Sequence, residues 1–342
     1  MRLHENKELF QDAIVASSQQ LDIKEIYVEK DYWVTFALFN IFKNDIGKET
    51  VFKGGTALSK CFGMIQRFSE DIDLVVLRNV NETGNQLKNK MKKITKCVSD
   101  VMLETDIDGI TNKVGMIVKT AHYYPRTFTG HFGQVRDIII IESTRLGNFE
   151  PYTTANVSSF IYEMMLQNKQ QTLIEEYRMN PFEVLALNPK RTLCEKVMSL
   201  IRFSQTKEPI ADLRNKIRHT YDIHLMLNDE NLESFFQSKD FERMLLRVAT
   251  DDIVSFKNNN EWLANHPTTA IIFSEPADTW NKIKGSYTGS FSELVFGELP
   301  PETDIMKTLT TVADRLKSIE WNINPSSNAL KPHTFSSRKS QH

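Results

Sequence analysis

Hydrophobic residues follow helical and strand periods in turn through the first half of the chain. Apolar positions three and four residues apart indicate amphipathic helices, whereas alternation or short apolar runs indicate strands. The run of four isoleucines near residue 140 is typical of a central strand with both faces covered. These patterns predict helices within residues 7–45 and 84–104, strands at residues 51–53, 71–76, 113–124 and 135–143, and a turn at 147–151.

The pattern changes near residue 160, after which helical spacing predominates. Pro181, Pro189 and Pro209 separate the predicted helices, and a last helix is expected over residues 304–319. The final dozen residues are polar and are expected to be disordered. We therefore predict an α/β (α+β) fold in three parts: a domain with a mixed sheet and flanking helices over 1–155, a mainly helical domain over 156–330 that contributes to the active site, and a tail over 331–342.

Composition and charge fit a soluble enzyme and exclude several other classes of protein. A chain of 342 residues can bury one large core or two, and a net charge of −2 gives no overall signal of nucleic-acid binding. Cys61, Cys97 and Cys194 show neither zinc spacing nor a disulfide framework, so we expect them to be reduced. Without a signal peptide or an apolar stretch long enough to span a membrane, a cytoplasmic location is expected.

The segment from Lys53 to Val76 carries the strongest chemical signal. Successive side chains of a strand alternate faces, so Asp71 and Asp73 share one face while the apolar residues between and after them take the other. Mg²⁺ is commonly held by one or two carboxylates plus substrate phosphates. Gly54 and Gly55 lie upstream, where backbone amides at a helix start can bind those phosphates. The segment predicts nucleotidyl or phosphoryl transfer, although a glycine pair alone would indicate only a tight turn.

Five stretches of the sequence resemble a known family. GGTAL and RFSEDIDL are similar to the signature of the AbiEii/AbiGii-type nucleotidyltransferase toxins, a branch of the polymerase-β-like superfamily that includes the MenT-type toxins. VEKDYWVTFAL, RTLCEKVMSL and IRHTYDIHLML also match, in the order that the family shows. The spacer between the glycine pair and the acidic pair is longer than in the wider superfamily, as in the toxin branch. The resemblance implies a polymerase-β-like nucleotidyltransferase core.

The resemblance extends the candidate site beyond the two aspartates. It implies that Ser69 belongs to the active-site motif, binding phosphate or metal-bound water or accepting a group in self-modification; a turn-initiating serine is the alternative. Thr56 is expected beside the glycine pair, and Arg67 either fixes the loop or contacts phosphate. Glu142 ends the isoleucine run and is either the third metal-binding carboxylate or a solvent-facing charge at a strand end. The ligand set Asp71, Asp73 and Glu142 would bind Mg²⁺ or Mn²⁺ with the NTP substrate.

Later residues are expected to close the site from the helical half. The resemblance implies that Lys196 contacts the nucleotide triphosphate, with Thr192 one turn earlier on the same helix face. Asp222 either orients Lys196 or the acceptor hydroxyl, or forms an intrahelical pair with Arg218. Glu29, Lys30 and Asp31 also match the family. We expect them to form salt bridges that pack the N-terminal helix against the catalytic half, and we assign them no catalytic role.

By resemblance, the chain is expected to be the toxin of a toxin–antitoxin or phage-defence (abortive-infection) system, with a cognate antitoxin as partner. It would transfer NMP from NTP to an acceptor, for which the 3′ end of tRNA is the leading candidate. Basic stretches at residues 84–104 and 190–219 would suit an RNA acceptor, although a basic helix is usually a solvated face. Two alternatives stay open: NMP transfer onto a protein side chain, and a GTP- or ATP-binding regulatory protein without turnover.

Overall fold

A computed structural model describes residues 1–79, 81–130, 132, 135–146, 150–256 and 259–325. Residues 147–149 of the predicted turn and the predicted tail at 331–342 lie outside this range. The strands are β1 (Thr50–Lys53), β2 (Ile72–Val76), β3 (Leu103–Thr105), β4 (Ile117–Tyr123), β5 (Ile139–Thr144), β6 (Tyr152–Val157) and β7 (Phe182–Leu187).

Helices flank the strands and then make up almost all of the second half. They are α1 (Lys7–Leu21), α2 (Glu25–Phe42), α3 (Gly54–Phe62), α4 (Gly84–Ser99), α5 (Phe160–Gln167), α6 (Gln171–Glu176), α7 (Pro189–Phe203), α8 (Pro209–Asn215), α9 (Ile217–Leu227), α10 (Glu230–Gln237), α11 (Lys239–Ser255), α12 (Ile271–Ser274), α13 (Pro276–Ser286) and α14 (Glu302–Lys317).

The seven strands form one mixed sheet in the order β3-β4-β5-β2-β1-β7-β6. The pairs β1–β7 and β2–β5 are parallel, and the remaining neighbours are antiparallel. The predicted fold class, a mixed sheet with flanking helices followed by a helical half, is confirmed. The strand that carries the acidic pair lies near the middle of the sheet, where its position is fixed from both sides.

One face of the sheet is apolar and covered. Phe52, Ile72, Leu74 and Ile141 point into a core that α2 and α4 close from outside. Because strand side chains alternate, the neighbouring residues must point to the opposite face. The strand register places four of them side by side across four strands, in the order Lys53, Asp73, Glu142 and Lys119. This charged row is the feature around which the candidate site is built.

The N-terminal helix α2 is tied to the sheet by buried charges, as the sequence predicts in part. Lys30 pairs with Glu70, and Asp31 pairs with Lys60 at 2.6 Å. Glu29 forms no salt bridge with another described residue; its carboxylate accepts hydrogen bonds from the backbone N–H groups of Thr127 and Phe128 at 2.6 and 3.0 Å. The prediction of salt bridges is therefore confirmed for two of these three residues and wrong for Glu29.

Several element predictions need correction. The strands β6 and β7 lie in stretches for which the sequence predicts no strand, and the boundary predicted at residue 155 falls inside β6. The helix predicted to end at residue 104 ends at Ser99 and is followed by the short strand β3. Lys90 belongs to the basic stretch 84–104, for which a solvated face is the usual interpretation, yet it is buried and its ammonium pairs with Glu49 at 2.5 Å and Glu82 at 2.6 Å.

The helical half has its own core, and residues from the first half contribute to it. Leu58, Ile65 and Phe68 pack in the same buried cluster as side chains of α7, α9, α11 and α14. The segment between α3 and β2 therefore lies between the sheet and the helices. No helix among the described residues is long and apolar enough to cross a membrane.

Candidate active site

The glycine pair stands where β1 turns directly into α3. Gly54 has φ of +79°, a conformation that L side chains rarely adopt, and a Cβ on it would overlap the carboxylate of Asp73. A Cβ on Gly55 would lie 2.7 Å from Nη2 of Arg67 and 3.0 Å from Oγ of Ser69. No side chain caps the N-terminus of α3, and its first turn has no acidic residue. Its first amide groups are therefore available to an anion, which the helix dipole favours.

Two carboxylates face one another on adjacent strands of the charged row. Asp73 on β2 is the register partner of Glu142 on β5, and Asp71 comes just before β2. Burial, reinforced by the negative charges of Asp71 and Glu142, raises the pKa of Asp73 to about 7. Lys119 reaches Glu142 at 3.4 Å, and Arg136 reaches Asp71 at 3.8 Å, so the positive charges compensate this repulsion only in part.

These three carboxylates match the oxygen donors that a hard divalent cation requires. Within the described ranges, no three His, Cys, Asp or Glu side chains are grouped closely enough to hold a metal ion. One or two carboxylates completed by substrate phosphates are nevertheless the usual magnesium ligands. Burial and then the repulsion by Asp71 and Glu142 raise the pKa of Asp73, and a bound cation would offset that repulsion. The residues present fit a cation that is shared with a phosphate-bearing ligand.

Ser69 and Thr56 connect the start of α3 to the acidic strand. The Thr56 hydroxyl donates to the backbone carbonyl of Asp71 at 2.6 Å, and its oxygen lies 3.0 Å from Oγ of Ser69. Since the single Thr56 proton goes to Asp71, Ser69 is the donor in the second bond. The lone pairs of Ser69 remain beside Gly55. This pair of hydroxyls holds the acidic strand at a fixed distance from the glycine turn.

A buried ion triad joins the glycine turn to the helical half. Asp222 on α9 accepts two hydrogen bonds from Arg67, at 2.6 and 2.7 Å, and one from Lys196 on α7 at 2.6 Å. All three side chains are almost completely buried. Burial alone would raise the pKa of Asp222, but Arg67 and Lys196 outweigh it and hold the pKa well below its usual range. The carboxylate is therefore ionised at any pH near neutrality.

This triad decides between two geometries that the sequence left open. Asp222 pairs with Lys196 and Arg67, and the alternative pairing with Arg218 on its own helix does not form. Arg67 is buried, bound to Asp222, and also donates to the carbonyl of Phe68 at 3.2 Å. Thr192 lies one turn before Lys196 but is buried, with its hydroxyl 3.5 Å from the carbonyl of Asn188. It is the one predicted site residue that the described contacts do not connect to the others.

Two cations near the carboxylates, Lys216 and Arg218, are not among the predicted site residues. Burial and Arg218 lower the pKa of Lys216, whereas Asp73 and Asp71 act in the opposite direction. Burial and Arg67 lower the pKa of Arg218, against the attraction of Asp71 and Asp222. Neither cation has a carboxylate partner within 4 Å in the part of the chain that the structure describes. The basic segment KIRH before Asp222 was the available signal, and it was interpreted mainly as a solvated face.

Both the sequence and the fold are similar to those of known nucleotidyltransferase toxins. A family model described as nucleotidyl transferase AbiEii toxin, type IV toxin–antitoxin system, matches residues 37–307. Among solved structures, the chain is similar to MenT4, a nucleotidyltransferase toxin from Mycobacterium tuberculosis H37Rv, with 12% identity and a TM-score of 0.49 over 90% of each chain. No curated protein sequence matches the chain significantly.

Proposed function

The chain belongs to the AbiEii family of nucleotidyltransferase toxins of type IV toxin–antitoxin systems, and we propose that it transfers NMP from Mg²⁺-bound NTP to the 3′ end of tRNA. The observation that carries the proposal is the pair Asp73 and Glu142, opposed on adjacent strands beside the uncapped helix start at Gly54. As a nucleotidyltransferase the chain is an enzyme, so a regulatory protein without turnover is no longer an alternative. An antitoxin is the partner that the family implies.

The triphosphate would lie over the glycine turn. The amides at the start of α3 offer donors and a positive dipole end, and Lys216 and Arg218 add two cations without a carboxylate partner among the described residues. Ser69 donates its hydroxyl proton to Thr56, so its lone pairs would accept a hydrogen bond from a metal-bound water beside the phosphates. Lys196 would act as a point charge whose direction Asp222 sets, since the ammonium is 2.6 Å from that carboxylate. Arg67 would fix the turn through the same carboxylate.

The cation site would consist of Asp71, Asp73 and Glu142, completed by phosphate oxygens. When bound, Mg²⁺, or Mn²⁺ in its place, would neutralise the charge that develops on the phosphate oxygens. The side chains of the protein would position the substrates and supply the electrostatic field around the phosphates. In the transfer, the acceptor hydroxyl oxygen forms a bond to the α-phosphorus, the bond from that phosphorus to the bridging oxygen breaks, pyrophosphate leaves, and the hydroxyl proton passes to solvent. Such chemistry depends on alignment and charge neutralisation more than on covalent assistance by the protein.

The proposal also includes the acceptor and the cellular role of the reaction. A tRNA whose 3′ end has been extended would no longer be aminoacylated, and translation would stop. This outcome is consistent with the toxin role of the family. We place the reaction in the cytoplasm, where NTP and tRNA are available, and we propose that the arrest serves phage defence by abortive infection.

The test is a transfer assay with each of the four labelled NTPs, total tRNA and total protein. Label should follow tRNA and should disappear when Mg²⁺ is chelated. Asp71→Ala and Asp73→Ala should each reduce transfer by at least about 100-fold, the scale of losing one preorganised charge-stabilising group. Asp240→Ala is the matched control, because Asp240 is exposed on α11. Label on protein would overturn the tRNA assignment, and full transfer by either active-site variant would overturn the cation site.

A further inference from the structure

A polar cleft extends from the charged row, beginning at Lys53 beside the glycine turn and running past Glu142 toward Thr144 and Ile117. It lies between the uncovered sheet face and the helices α7 and α11, and we call it the α7–α11 cleft. Its lining includes Lys53 and Glu142 from the sheet, Glu195 and Arg202 from α7, Asp252 from α11 and Phe256 just after it. Lys53 and Glu195 approach each other to 3.6 Å across its inner end. The cleft is thus continuous with the proposed reaction site.

Its position relative to the triphosphate follows from the strand order. Gly54 follows β1, Asp73 lies on the central strand β2, and Glu142 lies on β5 beyond it. In an in-line displacement the attacking oxygen and the leaving pyrophosphate stand on opposite sides of the phosphorus. If pyrophosphate leaves over Gly54, the attacking hydroxyl arrives from the side of Glu142. The cleft has its inner end at Lys53 and continues on that side, past Glu142 to Thr144 and Ile117.

The cleft contains planar groups in mutual contact, which we call the Arg202–Phe256 platform. The guanidinium of Arg202 lies 4.2 Å from the ring centroid of Phe256 and 4.7 Å from that of Phe203. Flat, delocalised groups of this kind stack on the faces of nucleobases, and such stacking contributes about 1–3 kcal/mol per base. An aromatic ring together with a guanidinium matches a base, which has both a flat π-face and hydrogen-bonding edges. The chemistry of the platform therefore favours a nucleotide over a protein segment.

Unused hydrogen-bonding groups stand beside the platform. Arg202 and Asp252 attract each other, yet they lie too far apart to form an ion pair, and among the described residues neither side chain forms a hydrogen bond or an ion pair. Burial, with Glu195 and Asp251 nearby, raises the pKa of Asp252 to about 7, so its carboxyl group can be neutral or charged near physiological pH. A donor fork and a carboxyl group separated by a gap match the mixed donors and acceptors of a nucleobase edge.

The outer end of the cleft is apolar and open. There it meets a groove through shared walls at Ile117 and Phe256. Val114 and Met116 line that groove and are 76% and 39% exposed, and Val254 is 49% exposed. Exposed aliphatic side chains beside a stacking platform suit the unpaired bases of a single strand, whose faces are apolar. The RNA strand could leave the cleft along this groove.

We propose that the α7–α11 cleft receives the 3′-terminal nucleotide of the acceptor RNA, with its base on the Arg202–Phe256 platform and its edge facing Asp252. This inference rests on the proposed transfer to RNA. It assigns specificity for the acceptor to α7 and α11, whereas the NTP is held at the glycine turn. The two substrates can therefore be separated by mutation.

The experiment measures KM for tRNA and for NTP separately in the full-length protein. Phe256→Ala and Arg202→Leu should raise KM for tRNA about 5-fold to 100-fold, as expected for loss of one stacked base, with KM for NTP changed less than 2-fold. Phe256→Tyr should retain the wild-type value because it keeps the ring. Arg243→Leu is the matched control, since Arg243 is exposed on α11. Thermal melts establish that each variant is folded.

Binding without turnover provides the second readout. A short single-stranded RNA, labelled at its 5′ end, should bind the wild type without NTP and bind Phe256→Ala more weakly by a similar factor. Higher KM for NTP with unchanged KM for tRNA would overturn the inference, because the cleft would then hold the incoming base. Wild-type RNA binding and transfer by both cleft variants would also overturn it while leaving the proposed function intact. Label on protein in the wild type would instead refute the proposed acceptor.

Discussion

Asp222 is a single carboxylate that neutralises two buried cations. It is the shared partner of Arg67 and Lys196, and all three groups are withdrawn from water. Breaking a buried pair by removing one partner costs about 3–5 kcal/mol, because the other charge stays buried and uncompensated. Here two cations would be left. The residue is therefore expected to matter for folding as well as for positioning Lys196.

Asp222→Asn should lower the free energy of unfolding by at least about 3 kcal/mol, as measured by urea denaturation. The folded-state pKa of Asp222 is depressed, so its contribution is complete above the unfolded pKa and is lost as the pH falls toward the folded value. The difference from wild type should therefore stay constant from pH 8 to pH 5 and shrink only below about pH 4. Asp240→Asn, at an exposed site, serves as control. Equal stability of Asp222→Asn and wild type would contradict the triad.

Asp73 has the opposite balance, because its charge is opposed by its surroundings. Its folded pKa of about 7 lies above the usual value of about 3.9. The folded state therefore holds an extra proton between these values, and this group's contribution to stability falls as pH rises through that window. Asp73→Asn should melt higher than wild type at pH 8 in EDTA, and the gap should narrow toward pH 5. Excess Mg²⁺ with NTP should stabilise wild type more than the variant. A variant that melts lower than wild type in EDTA would refute this prediction.

At the scale of elements, the two ends of α3 show what its glycines do. Gly54 precedes the helix body and Gly63 follows it, and both have positive φ, +79° and +61°. A Cβ at Gly54 would overlap Asp73, whereas a Cβ at Gly63 would meet nothing within 4 Å. An L-residue at either position would therefore have the same left-handed backbone strain. The two positions differ in whether its Cβ would meet a neighbouring side chain.

Gly54→Ala and Gly63→Ala should each lose about 1–2 kcal/mol of stability, the cost of a left-handed L-residue. Only Gly54→Ala should lose nucleotide transfer, because its methyl group would displace the Asp73 carboxylate and obstruct the proposed phosphate site. Urea denaturation and the labelled-NTP assay measure the two effects. Loss of transfer in both variants would show that stability, not the phosphate turn, limits activity.

The sequence predicts local features of the elements better than their partners. The alternation around Asp71 and Asp73 and the helical spacing of α2 are contained in a few adjacent residues, so both could be predicted. β7 is a strand of six residues between Pro181 and Pro189, and only its pairing with β1 and β6 makes it a strand. The partnership of Arg67 with Asp222 spans 155 positions. Lys216 and Arg218 gain meaning only when α9 is packed beside the sheet, which no local pattern shows.

At the scale of the whole molecule, α7 links the two halves through two of its faces. Lys196 points from one face toward the buried triad, while Glu195 and Arg202 point from another into the α7–α11 cleft. The same helix follows directly from β7, the neighbour of β1 in the sheet. The phosphate side and the acceptor side of the proposed site are therefore held by one rigid element. A domain boundary placed between the sheet and the helices would therefore have to keep β7 and α7 together.

The predicted domain boundary at residue 155 can be tested on this ground. A fragment of residues 1–155 would end inside β6 and would lack β7, leaving one edge of β1 without its parallel partner. Exposed apolar strand edges promote aggregation. We expect this fragment to be insoluble or to unfold without a cooperative transition. A fragment of residues 1–187, which keeps the complete sheet, should retain more strand signal by circular dichroism. A cooperative melt of the shorter fragment would instead establish residues 1–155 as an independent domain.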